Sequence, residues 1–224
     1  MGRKAVSGMP DMLACVYFIR HGETVWSLSG RHTGLTDIPL TAQGEHDARK
    51  LAERLSAVKF SRVFTSPLQR ARRTCELAGL DEVAEIDPDL VEWDYGDYEG
   101  QFSPDIRKTR PEWNLFRDGG PRGESPTQVS ERADRVIARV RRLKGNIAIF
   151  SHGQFGRVLA ARWIGLPVGQ AQHFVLSTAS VSILGYEHNL TDQSAVVQWN
   201  VGADEFSPSI ITYMEKDKGK RDRG

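Results

Sequence analysis

Cysteine is scarce in this chain of 224 residues: Cys15 and Cys75 are the only two. Two thiols exclude a disulfide framework and a thiolate metal cluster. They fit a reducing, cytoplasmic setting. Net charge is also missing. Thirty Lys and Arg face 29 Asp and Glu, a formal charge of +1. That balance excludes a globally basic nucleic-acid binder and an acidic solvating chain. No stretch approaches the roughly 20 apolar residues of a membrane-spanning helix, so no membrane partner is expected. Residues 13–19, behind Arg3 and Lys4, imitate a signal peptide, but they lack a small-residue cleavage site and run straight into a polar motif. Position 6 is Val, where myristoylation needs Ser or Thr. Internal repeats and Pro/Gly-rich linkers are absent from the middle of the chain.

Arginine, by contrast, is plentiful, with 22 residues against 8 Lys. Its planar fork of donors suits carboxylates and phosphates, which lysine does not match. Residues 1–12 read as a flexible leader and 13–206 as a single domain. Residues 207–224 read as a C-terminal segment, charged from Lys216 onward with five cations and two Asp.

Short apolar runs at 13–19, 63–65, 146–151, 181–186 and 195–199 predict strands. Helical spacing predicts helices over 41–56, 67–78, 127–144 and 155–164. Thr41 is placed to cap the first of these, and Gly79 to end the second. Residues 87–126, rich in Gly, Pro, Asp and aromatics, read as loops and short helices over a site. The alternation predicts an α/β protein, a three-layer α/β/α sandwich with helices on both faces of one sheet. Ligands in such folds bind beyond the carboxyl ends of the strands.

Polar motifs sit at those ends. Arg20-His21-Gly22-Glu23-Thr24 follows the first strand, Ser66-Pro67-Leu68-Gln69-Arg70-Ala71 the second, and Ser151-His152-Gly153 the third. Two histidines and two arginines converging at one sheet edge would suit a phosphate dianion. Together with Gly34-Leu35-Thr36-Asp37, Pro39-Leu40-Thr41 and Glu92, these motifs resemble the histidine phosphatase superfamily, in the branch that holds the cofactor-dependent phosphoglycerate mutases. The resemblance implies that family's mostly parallel central sheet. Trp26-Ser27-Leu28-Ser29-Gly30 and the aromatic stretch from Glu92 to Gly100 look more like the sedoheptulose bisphosphatase subgroup.

The resemblance also implies roles. His21 would be the nucleophile that becomes a phosphohistidine, with Arg20, Arg70 and His152 on the phosphoryl oxygens. Glu92 would be the proton donor, and the backbone at Gly153 and Gln154 would add donors. Thr33 and Gly34 occupy positions that touch substrate near the leaving group. Tyr95 is a further substrate-binding candidate. Ser27 stands where the family usually has Asn; its hydroxyl can donate one bond to phosphate with shorter reach.

The chemistry agrees independently. A histidine nucleophile needs its other N–H fixed, best by a carbonyl. Two cations and a second histidine can stabilise the transferring group without a metal or a cofactor. A poor alkoxide leaving group calls for a carboxylic acid, and this requires Glu92 to be partly buried near Trp93 and Tyr95.

The expected activity is metal-independent hydrolysis of small phosphorylated metabolites, sugar phosphates or bisphosphates, with inorganic phosphate as product. A phosphoglycerate mutase and a non-catalytic phosphate-binding module are the alternatives, and a homodimer stays open. Arg107, Lys108 and Arg110 read either as a grip for a second anionic group or as a solvated face. His32, His46, His173 and His188 lack motif context and read as surface or packing residues.

Overall fold

The structure is a computed structural model that describes residues 13–206. The expected leader and C-terminal segment lie outside the described residues.

Strand β1 spans Cys15–Arg20 and sends alternate side chains to opposite faces. Val16 and Phe18 join one apolar cluster, while Cys15, Tyr17 and Ile19 join another. Both faces are therefore covered, which explains a run that is apolar throughout rather than alternating. Helix α1 (Val25–Ser29) follows a short loop, and helix α2 (Ala42–Leu55) is capped by the Thr41 side chain. Strand β2 (Phe60–Thr65) leads into helix α3 (Gln69–Leu77), and β3 (Ala84–Ile86) completes this half of the sheet. Helices α4 (Ser103–Thr109) and α5 (Leu115–Asp118) lie in the expected irregular region. Helix α6 (Pro126–Val140) starts at a Ser125/Gln128 capping box with Pro at its first turn. Strand β4 (Asn146–Ser151), helix α7 (Gly153–Trp163) and strands β5 (Ser180–Tyr186) and β6 (Ser194–Gly202) close the described chain.

The six strands are ordered β3-β2-β4-β1-β5-β6. Neighbours from β3 to β1 pair in parallel, and among the described strands only β5 runs against the rest. Helices α6 and α7 cover one face, and α2 and α3 the other. This is the expected three-layer sandwich. Three details differ from the sequence reading. Strand β3 and helix α1 are too short to show a period. Helix α6 stops at Val140 rather than at 144 and turns back through Gly145 at φ 76°.

One close approach shapes the loop after β1. A Cβ on Gly22 would lie 2.4 Å from the Gly44 carbonyl oxygen, and one on Gly44 would lie 2.2 Å from that of Glu23. Two glycines let the start of α2 press on the backbone beside His21.

Candidate active site

Strand register builds the site. Arg20 and Ser151 are direct partners in the parallel β1–β4 pair, so His21 and His152 leave the sheet side by side. Their rings lie 5.2 Å apart between centroids. Strand β2 flanks β4 on the other side, and the Ser66 N–H donates to Phe150 O at 2.9 Å. Arg70 then projects from the first turn of α3. Arg70 and His152 are fully buried, and His21 and Glu92 are nearly so.

Hydrogen bonds set both tautomers. His21 Nδ1 lies 2.7 Å from the Gly22 carbonyl, so it carries the proton and leaves the Nε2 lone pair free. Arg70 Nε donates to His152 Nδ1 at 3.2 Å, so His152 Nε2 carries the proton and donates to Ser66 Oγ at 2.7 Å. Burial holds both imidazoles well below their ordinary range, and the charge of Arg70 presses them further the same way; Arg20 adds to this. Both rings are therefore neutral at neutral pH.

The two arginines are placed differently. Arg70 uses its other two nitrogens on the carbonyls of Thr36 and Gly34, at 2.9 and 2.7 Å. Arg20 donates through NH1 to Leu176 O, while its buried Nε has no hydrogen-bond partner among the described residues. Glu92 is cradled by backbone. Its Oε1 accepts from the N–H groups of Trp93 (2.9 Å) and Phe155 (2.8 Å), and its Oε2 from that of Gln154 (3.0 Å). A lone-pair nitrogen, two guanidinium groups and a cradled carboxyl at one sheet edge can support transfer of an anionic group through histidine.

The model of the histidine phosphatase superfamily, branch 1, matches residues 16–201. The chain belongs to this superfamily. An acid phosphatase from Mycobacterium tuberculosis is 41% identical over 176 residues, covering 77% of this chain and 86% of that one. The sedoheptulose 1,7-bisphosphatase of Saccharomyces cerevisiae is 37% identical over 194 residues, covering 71% of each. A solved structure from an open reading frame of Mycobacterium tuberculosis superposes with a TM-score of 0.80 at 36% identity, covering 85% of this chain and 98% of that chain.

Within this histidine phosphatase fold, five expected residues come together: Arg20, His21, Arg70, Glu92 and His152. Gly153 opens α7 directly against the Arg20 guanidinium. The other candidates are placed as follows. The Ser27 hydroxyl donates to Thr24 O at 3.0 Å and accepts from Thr24 N at 2.8 Å. In this structure it caps α1. The Gln154 N–H is already held by Glu92, and its side chain bonds Tyr95 and Arg157. Thr33 donates to Arg31 O at 3.3 Å, and the Gly34 carbonyl serves Arg70. Tyr95 is 2% exposed and forms a wall behind the site. Its ring stacks on His32 at 4.6 Å, so His32 packs beside the site. Arg107, Lys108 and Arg110 are exposed on and just after α4, and Lys108 pairs with Asp105 at 2.6 Å.

Glu99 escaped the sequence reading. Its carboxylate accepts three backbone N–H bonds, from Gly34 (2.6 Å), Leu35 (3.2 Å) and Thr36 (2.9 Å). That loop supplies the two carbonyls that aim Arg70. Glu99→Ala is expected to lower kcat/KM about 10- to 100-fold by loosening Arg70, with a stability loss of about 1–3 kcal/mol. Steady-state kinetics and thermal melting would check this; unchanged kcat/KM would contradict it.

The depressed histidines also set an acid response. On unfolding, His21, His152 and His32 regain ordinary values near 6.5, whereas in the fold burial holds His32 down to about 4 and the other two well below 6.5. The unfolded chain therefore binds more protons below pH about 6.5, and stability falls as pH falls through that range. Each group contributes a slope of up to about 1.4 kcal/mol per pH unit until its folded value is reached. The melting temperature should drop between pH 7.5 and 5.5; a flat or rising profile would contradict the assignment.

Proposed function

We propose that this histidine phosphatase hydrolyses small phosphorylated metabolites, sugar phosphates or bisphosphates, through a phosphohistidine on His21. The observation that carries the reading is the neutral His21, its Nδ1–H held by Gly22 and its ring set beside His152, near the charges of the buried Arg70 and the half-buried Arg20. In the first step the Nε2 lone pair attacks phosphorus in line, and the bond to the leaving oxygen breaks. The Glu92 carboxylic proton passes to that oxygen. Oε2 is the oxygen to carry it, because it accepts one N–H where Oε1 accepts two. In the second step the Glu92 carboxylate takes a proton from water, the hydroxide oxygen bonds phosphorus, and the N–P bond breaks. Inorganic phosphate leaves and the donor is restored.

Arg20 and Arg70 neutralise the charge on the equatorial oxygens. The Nε2–H of His152, resting on Ser66, turns or shares its bond to reach a phosphoryl oxygen. The charge these groups supply makes no demand for a metal ion.

The test is phosphate release across sugar phosphates, bisphosphates, phosphoglycerates and phosphoserine, with and without chelator, beside an assay of phosphoglycerate isomerisation primed with bisphosphoglycerate. Chelator-insensitive release from sugar phosphates is expected. Isomerisation outpacing release by orders of magnitude would replace this reading with a mutase. Phosphate binding without turnover of any ester would leave a binding module.

A further inference from the structure

Arg132 is a buried cation inside the apolar face of α6, 6% exposed among Val129, Ala133 and Val136. A guanidinium at such a depth costs several kcal/mol unless its donors are satisfied. Its backbone partners all lie on one short segment, and Glu124 completes the set. Nε and NH2 fork onto Glu124 Oε1 and Oε2 at 2.8 and 2.6 Å. NH1 donates to Asp89 O at 2.9 Å and Val91 O at 2.7 Å, and NH2 reaches Glu92 O at 3.3 Å. The guanidinium also covers the Phe155 ring at 4.4 Å, and the Phe155 N–H is one of the three that hold the Glu92 carboxyl. One side chain thus grips Glu92 from both ends, at its own carbonyl and through the residue that binds its oxygens.

Glu124 is tied to the same segment. Its N–H donates to Asp94 O at 2.9 Å, and its carbonyl accepts from Trp93 Nε1 at 2.8 Å. Its carboxylate also neutralises Arg132, so the clamp adds little net charge beside Glu92. The clamped segment, 89–94, has neither a strand nor a full helix to hold it.

We propose that Arg132, locked by Glu124, is the positioning residue for the proton donor, setting where the Glu92 carboxyl meets the leaving-group oxygen. The proposal rests on the donor role of Glu92 given above. A displacement of about 1 Å in such a group can cost about 100-fold in rate. The loss should depend on the leaving group. An alkoxide needs its proton during the transfer; a nitrophenolate leaves as a stable anion and does not.

The experiment compares glycerol phosphate with p-nitrophenyl phosphate in the wild type, Arg132→Lys, Glu124→Gln and Glu92→Gln. Arg132→Lys and Glu124→Gln should lower kcat/KM on glycerol phosphate, which reports the steps up to phosphoryl transfer, about 10- to 100-fold. The kcat/KM on p-nitrophenyl phosphate, which excludes the shared hydrolysis of the phosphohistidine, should stay within about threefold, since that ester needs little proton donation. The ratio of the two rates is independent of how much of each variant folds, so a merely structural role leaves it unchanged. Equal losses on both esters, or an unchanged ratio, in both variants overturn the proposal while a shifted ratio in Glu92→Gln keeps the donor role. An unchanged ratio in Glu92→Gln overturns the donor role, and the proposal with it.

Discussion

His21→Ala is expected to lower phosphate release by at least about 10⁴-fold, the scale of losing a nucleophile. The expectation follows from the hydrogen bonds. His21 Nε2 keeps an unshared lone pair because Nδ1 carries the proton to the Gly22 carbonyl. The neighbouring candidates are engaged. Arg70 and Ser66 hold both nitrogens of His152, and the Ser66 hydroxyl accepts that second bond. Burial beside two arginines keeps His21 neutral, so it is poised to attack without first losing a proton. Arg20 and Arg70 survive the substitution, so phosphate should still bind. Quenched wild-type enzyme should carry an acid-labile, base-stable phosphoryl label, and the variant none. Full activity in His21→Ala, or a label that persists there, would remove His21 from the mechanism.

Glu92→Gln should cost about 10²–10⁴-fold on alkyl phosphates, the usual worth of a placed proton donor. The isosteric amide fills the same space, but the cradle is built for acceptors. All three of its contacts are backbone N–H donors. An amide offers one acceptor and one donor group, so at least one N–H loses its partner. Orienting the amide oxygen to Trp93 and Phe155 sets its nitrogen against the Gln154 N–H. That mismatch should cost about 1–3 kcal/mol of stability. Pre-steady-state rates with glycerol phosphate, together with thermal melting, check both halves. An alkyl-phosphate rate within threefold of wild type would assign the proton to another group.

The legible part of the site is the part encoded by neighbours in the chain. His21 and His152 each follow an apolar strand by one or two residues, and Arg70 sits in the turn after another. Strand and motif can be read together there. Glu92 was reachable through its family motif, although no strand precedes it directly. Ser27 suits a phosphate by residue type, and only the tertiary structure shows the bonds its hydroxyl makes at Thr24. His32 reads from the sequence as a surface or packing residue; its packing partner, Tyr95, lies far away in the chain. Glu99 reaches back to Gly34, Leu35 and Thr36, a contact that no local pattern announces. Arg132 stands on the helical face that the apolar spacing marks as buried, yet its partners at 89–92 became visible only once α6 was docked.

The sequence by itself determined the alternation of strands and helices, the layered α/β class and the identity of the groups at the strand ends. Those features rest on periodicity and on residues adjacent in the chain. The tertiary structure decided the rest: the β3-β2-β4-β1-β5-β6 order, the register that sets His21 beside His152, and the partners that fix each tautomer. It also decided which polar groups near the site are free and which are occupied. The physical reason is that hydrogen bonds and burial depend on distances between segments many residues apart, and those distances exist only after the sheet has closed and the helices have packed upon it.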